Sequence, residues 1–167
     1  MSELTRPQRE FRAAMANLSA AVSVVTTDGA NGRAGMTVSA ACSVTDSPPT
    51  MLVCVNRSSR SHGILLANGR VCVNVLGADQ EALAMHFAGA TNVPTSQRFA
   101  DGPWDLDTDG VPVLRGALSS VIGRIMSEHT QGSHSVLFVR VEKVLIRQDS
   151  GALVYFQRRF HNLEVTA

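Results

Sequence analysis

Seven short runs rich in valine, threonine and small residues recur along the chain, at Ala20–Thr27, Ala34–Val44, Thr50–Val55, Val71–Leu76, Leu114–Met126, Ser135–Ile146 and Ala152–Phe156. Glycine, proline, aspartate or asparagine separates them, which is the signature of β-strands divided by turns. Helical signals are few. Thr5-Arg-Pro-Gln8 reads as a capping box with proline near the first helical position, and Phe11, Met15 and Leu18 follow at amphipathic spacing. Two further short helices are predicted, Ser61–Asn68 ended by Gly69 and Asp79–Ala88 ended by Gly89, with Leu83 and Phe87 on one face of the second. A doubly wound parallel sheet needs a helix after nearly every strand. The pattern therefore predicts a mainly β (α+β) fold, a small barrel with short flanking helices. It forms one domain over residues 1–167, long enough to bury roughly 70% of the surface its unfolded chain would expose. Asn92–Val113, with Trp104, three prolines and four aspartates, reads either as a surface loop covering a site or partner, or as an irregular connection.

Apolar residues make up 44% of the chain and charged residues 17%, and no apolar run reaches the length of a membrane span. The charges in MSELTRPQREFRAAM occupy the place of a signal peptide's apolar core, so the expected location is the cytoplasm. The formal net charge is +1 and the 15 basic residues are dispersed, which argues against a nucleic-acid binder, as does the 5% aromatic content. Cys42, Cys54 and Cys72 each lie within an apolar run, without paired ligand spacing, and are expected to be reduced core thiols. His62, His86, His129, His134 and His161 form no HExxH or similar pattern, and no metal is expected.

The stretch GMTVSAACSVTDSPPTMLVCVNRSSRSHG, residues 35–63, concentrates the chemistry. In one continuous strand, Thr37, Ser39, Ala41 and Ser43 would share a small hydroxylated face, with Met36, Val38, Ala40, Cys42 and Val44 opposite. Such a face either admits a flat ring against its backbone or simply meets water. The strand at 50–55 runs into Asn56-Arg-Ser-Ser-Arg-Ser61, a donor-rich loop whose Ser61 suits an N-cap. Strand, loop and helix N-terminus together make an anion site, and a solvated loop is the alternative. Side by side, the two features suit a nucleotide-like ligand with a ring and a phosphate. GANGRAG, residues 29–35, has neither phosphate-loop spacing and reads as a hairpin turn.

GMTVSAACSVTDSPPTMLVCVNRSS, followed by RVCVNVL, HFAG and LVYFQRRFH, resembles the flavin reductase family of the FMN-binding split-barrel fold, the small reductase partners of two-component flavin monooxygenases. The likeness runs from about Phe11 to His161. It implies that Thr37, Val38, Ser39 and Ala40 border the flavin ring, with Ser43 and Val44 nearby. The ribityl and phosphate loop would be Cys54, Val55, Asn56, Arg57, Ser58, Ser59, Arg60 and Ser61, and Phe87, Ala88 and Gly89 would lie on the phosphate side. Gly132-Ser133-His134 matches a family segment whose histidine approaches the nicotinamide, with serine in the middle as a departure; this makes His134 the candidate catalytic residue. Tyr155, Phe156, Gln157 and Arg158, with Arg159 and His161, match a C-terminal motif bordering the pyridine nucleotide. Without the resemblance these would be an ordinary cap histidine, tail charges and edge aromatics.

The implied reaction is NAD(P)H:flavin oxidoreduction, with NADH preferred over NADPH and FAD or FMN as acceptor. Reduced flavin would diffuse to a flavin-dependent monooxygenase, and the tail YFQRRFH leans toward the phenol or aromatic hydroxylase type. The resemblance further implies a homodimer, and from charge and composition no nucleic-acid or membrane partner is expected. The alternatives are the flavin reductases of pyrimidine degradation, or a split-barrel carrier or sensor that binds flavin without turnover.

Overall fold

The computed structural model describes residues 4–100, 102–147 and 150–165; the outer ends of the predicted 1–167 domain lie outside the described residues. Helix α1, Arg6–Met15, begins on the predicted box: the Thr5 hydroxyl accepts from the Gln8 amide, and the Gln8 side chain accepts from the Thr5 N–H at 2.8 Å. Its apolar stripe is not part of the core, since Phe11 and Leu18 are each 66% exposed and no residue of α1 is buried.

Among the described residues twelve strands follow: β1 Ala20–Ala21, β2 Ser23–Thr27, β3 Ala34–Val38, β4 Ala41–Asp46, β5 Pro49–Asn56, β6 Arg70–Val75, β7 Trp104–Leu106, β8 Pro112–Leu114, β9 Ser119–Gln131, β10 His134–Ile146, β11 Ala152–Phe156 and β12 Arg159–Leu163. Helices α2, Arg60–Asn68, and α3, Glu81–Phe87, complete the frame, with a single 3-10 turn at Thr95–Gln97. The main sheet has seven antiparallel strands in the order β3-β2-β6-β9-β10-β5-β4.

The edge strands of that sheet, β3 and β4, are consecutive in sequence and joined only by Ser39 and Ala40. Laid flat, six strand spacings would hold these edges roughly 29 Å apart, whereas the link reaches about 11 Å at most. The sheet must roll. It does so as a split barrel, with the link fixed to β5 by the Cys54 N–H donating to Ala40 O at 2.8 Å. This corrects the expectation of one continuous strand over 34–44: the chain leaves one edge at Val38 and joins the other at Ala41, so no single alternation spans the run.

The period of two then divides the core. Val25 joins Val38, Val53, Val55, Leu65, Val71, Val73, Leu137 and Val139, while Val22 and Val24 join Leu76, Ala84, Phe87, Phe99, Leu114 and Leu153. All five residues of β2 are buried. A small sheet, β1-β11-β12, branches off beside Val22, whose N–H donates to Leu153 O at 3.1 Å.

Other expectations change too, and the predicted runs 20–27 and 114–126 are each interrupted. The stretch 92–113 is partly interior, because it contains β7, β8 and the buried Phe99, Val111 and Val113, and Trp104 packs on Phe87 and Phe99 at ring separations of 5.4 and 5.1 Å. Arg70, only 13% exposed, pins this hairpin to the sheet through Asp107 at 3.0 Å, Asp109 at 2.8 Å and Glu142 at 2.6 Å. The tail beyond Phe156 is strand β12. Of the three cysteines only Cys72 is a core thiol, pushed up to about 12 by burial; Cys54 is half-buried and Cys42 exposed, and all are free.

Candidate functional site

Asn56 shapes the loop that leaves β5. Its side-chain oxygen accepts from the Ser58 N–H at 2.9 Å and the Ser58 hydroxyl at 2.8 Å, while its carbonyl accepts from the Ser59 N–H at 3.0 Å. Ser59, not Ser61, is the N-cap of α2, accepting from the Ser61 N–H at 3.2 Å. Ser61 is buried instead, its hydroxyl donating to Gly35 O at 2.9 Å, so the start of α2 is anchored to β3. Gly35 is required there, because a Cβ would stand 2.8 Å from the Phe87 ring.

A cleft of about 500 Å³ opens over this anchor, lined on one side by Thr37, Ser58, Ser59, Arg60 and Ser61, and on the other by Phe87–Gly89 and the 92–98 segment. Arg98 secures that far wall by donating to Val93 O at 3.0 Å and Phe87 O at 3.2 Å. The Thr37 hydroxyl is committed to Ala84 O at 2.6 Å, which leaves backbone rather than hydroxyl presented along β3.

Thr37 and Ala88 are shared with a second cleft of about 620 Å³, which adds Val38, Ser39, Met85, Tyr155, Arg158 and Arg159. Ser39, Tyr155 and Arg158 are shared in turn with a groove of about 920 Å³, bounded by Ala40, His134 and the Phe11, Arg12 and Met15 side of α1. Residues Thr37–Ala40 are thus the common floor of one continuous trough. Arginines gather along it: Arg60 and Arg98, then Arg158 and Arg159, then Arg9 and Arg12, against the single carboxylate of Glu81. A chain of formal net charge +1 has focused its positive charge where an anionic ligand would lie.

His134 opens β10 opposite Asn56 and Gln131, exposed, with its Nδ1 2.9 Å from the Ser133 hydroxyl. Gln157 and Arg158 form the two-residue turn between β11 and β12 at φ 48° and 64°, a left-handed pair that asparagine and glycine usually occupy. The turn is tied to the end of α1 by the Gln157 N–H donating to Ala16 O at 2.7 Å and by its side-chain amide to Asn17 at 3.2 Å.

Other candidates lie off the trough. Val55 is fully buried in the barrel core, and Ser43 and Val44 are exposed on the edge strand β4. Cys54 supports the floor through its amide; its thiol is raised by burial and by the neighbouring Cys42. Arg57 turns to the β9–β10 turn, its N–H donating to Ser133 O at 2.9 Å and its guanidinium to Gly132 O at 3.3 Å. Phe156 and His161 face a separate cleft of about 360 Å³ beside Ser19–Ala21. Met36, Arg98 and the α1 residues were not foreseen. Arg98 carries no local pattern that separates it from a solvated arginine, whereas the unburied stripe of α1 was at least visible as a stripe.

Among the described residues no group of three or more His, Cys, Asp or Glu is arranged for a metal, and no helix is long and apolar enough to cross a membrane. The donor set of the first cleft, the Ser59 hydroxyl, Arg60 and a helix N-terminus beside an accessible strand backbone, suits a phosphorylated flavin.

The model of the flavin reductase like domain matches residues 15–164. The chain is 49% identical over 164 residues to the reductase component of 4-hydroxyphenylacetate 3-monooxygenase from Pseudomonas aeruginosa, covering 98% of this chain and 96% of that protein. It is 47% identical over 156 residues to an NADH-dependent FMN reductase of Stutzerimonas stutzeri, covering 93% and 88%. The NADH:FAD oxidoreductase of Streptomyces globisporus C-1027, solved with NAD and FAD fragments, superposes with a TM-score of 0.85 at 28% identity over 96% of each chain.

Proposed function

The chain belongs to the family of flavin reductase like domains, and from that premise we propose that it oxidises NADH, reduces a flavin, and supplies the reduced flavin to a partner monooxygenase. One observation carries the reading: Thr37–Ala40 floors a trough with an anion cradle at one end and an aromatic, arginine-rich recess at the other. That suits two nucleotides placed end to end. When bound, the flavin supplies a ring that accepts hydride from the nicotinamide; the protein supplies position and shelter from water.

Each segment then has a task. Ser58, Ser59, Arg60 and the start of α2 hold the phosphate, the Thr37–Ala40 backbone bonds the polar edge of the ring, and Tyr155 and Arg158 with His134 orient the pyridine nucleotide. FMN and FAD share this phosphate position. The trough is open along its length, which suits a flavin that leaves after reduction. The whole chain acts as one reductase unit in the cytoplasm, and the partner is a phenol or aromatic hydroxylase. The exposed Phe11, Met15 and Leu18, with Val144–Ile146 at the far end of β10, support assembly as a homodimer.

Anaerobic stopped-flow mixing of the protein and excess FMN or FAD with NADH tests the reading. Many turnovers of flavin bleaching per protein are expected, faster with NADH than with NADPH. Flavin binding without bleaching would make the protein a carrier or sensor.

A further inference from the structure

Behind the trough lies a side-chain cluster to which the proposed function assigns no part. His62 Nε2 stands 2.8 Å from the Ser135 hydroxyl and 3.6 Å from Glu128, and that hydroxyl donates to the Glu128 carboxylate. Serine, histidine and glutamate invite comparison with a hydrolytic triad, but the order is wrong. The hydroxyl gives its only proton to the carboxylate, so the imidazole must be the donor toward it and is not placed to remove that proton. Ser135 is also fully buried, beyond reach of any substrate.

What the cluster joins is more informative. His62 lies in the first turn of α2, directly after the residues that form the anion cradle. Ser135 follows His134 on β10, and Glu128 lies on the adjacent strand β9. The same two segments are joined three more times: Asn56 pairs with His134 across the β5–β10 ladder, the Arg57 N–H donates to Ser133 O, and the Arg57 guanidinium donates to Gly132 O. The cradle and the turn carrying His134 are therefore fastened to each other by strand pairing and by Arg57. Only the His62–Ser135 bond among these ties α2 itself, rather than the preceding loop, to that turn.

We propose that His62 is a positioning residue which, through Ser135 and Glu128, locks His134 to the anion cradle, so that flavin phosphate held at one end of the trough sets the geometry for nicotinamide at the other. The proposal rests on the reading that His134 orients the nicotinamide. Neither His62 nor Ser135 lines the trough. Their effect should appear in NADH recognition and in its dependence on the flavin phosphate.

The test compares His62→Ala, His62→Gln, Ser135→Ala, His134→Ala and the His62→Ala/His134→Ala double variant by steady-state kinetics, with FMN or riboflavin as acceptor, and by flavin binding. His62→Ala and Ser135→Ala should each raise the NADH KM with FMN by roughly three- to tenfold, the scale of coupling between contacting residues, with kcat and the FMN Kd within about twofold. With riboflavin, which lacks the phosphate, the effect should shrink. His62→Gln, which keeps a donor near Ser135, should restore much of the loss. The double variant should be no worse than His134→Ala alone. Should His62→Ala fail to fold, Ser135→Ala and His62→Gln carry the same comparison. An unchanged NADH KM in His134→Ala would overturn the nicotinamide reading and this inference with it. A raised KM in His134→Ala with none in Ser135→Ala or His62→Ala, or additive losses in the double variant, would overturn the coupling alone.

Discussion

The two ends of the trough are built differently. At the cradle end, the Ser61 hydroxyl bonds Gly35 O, the Thr37 hydroxyl bonds Ala84 O, and the Phe87 ring lies where a Gly35 side chain would be. These are contacts among elements of the main sheet and its two covering helices. At the other end, Tyr155, Arg158 and Arg159 come from the small branched sheet, on a turn whose residues hold left-handed angles and whose ties to α1 are exposed. A ligand meeting the first end finds donors already placed, whereas the second end can adjust. On the proposed reading, that division suits an enzyme in which both nucleotides exchange but the flavin is registered first, by donors already in place.

The comparison can be broken most directly at Gly35. Replacing it with valine should displace Phe87, lower stability by about 1–3 kcal/mol and abolish measurable flavin binding, as read by thermal unfolding and flavin fluorescence. Flavin binding that survives would show that the cradle is less pre-built than its contacts imply. Arg60→Ala should raise the FMN Kd roughly tenfold while leaving riboflavin within about twofold, because only the phosphate loses a charge-assisted partner. At the adjustable end, Arg158→Ala should raise the NADH KM by roughly threefold with the FMN Kd unchanged; an equal loss for both would place that arginine on the flavin.

The smallest effect on the ligands lies outside both ends. Burial opposes ionisation of Asp107, but the amides of Val111 and Asp109 and the Arg70 guanidinium outweigh it and hold the carboxyl below its ordinary range. A depressed folded value means that this stabilisation is complete above the ordinary carboxylate pKa and is lost as pH falls through the folded value. Asp107→Asn should therefore flatten the acid limb of the unfolding curve by about 1 kcal/mol and leave both ligand constants unchanged.

Local chemistry explains which features the sequence disclosed. The Thr5–Gln8 box and the Gly69 stop of α2 depend on a few adjacent residues, and both form as read. The serine-rich loop was legible as a donor cluster, but the division of labour inside it was not. Ser59 caps, whereas Ser61 is buried and its hydroxyl donates to the carbonyl of Gly35, a residue distant in sequence. Strand β12 was missed for the same kind of reason: Arg159–Leu163 has the charges of a tail and becomes a strand through its pairing with β11. The break at Ser39–Ala40 has no local turn signal, since serine and alanine are ordinary strand residues, and its cause is the closure of a sheet seven strands wide.

That link also makes ligand capture a report on folding. The floor of the trough exists only after the strands that lie between β3 and β4 in the sheet have paired around the short link, so a chain with an incompletely rolled sheet lacks the seat proposed for the ring. Flavin should bind the finished barrel and ignore its precursors, adding RT ln(1 + [L]/Kd) to the finished state alone. Free flavin in the surroundings would thus act as a folding ligand, and chains still unfinished would neither draw on the NADH pool nor release reduced flavin to react with oxygen.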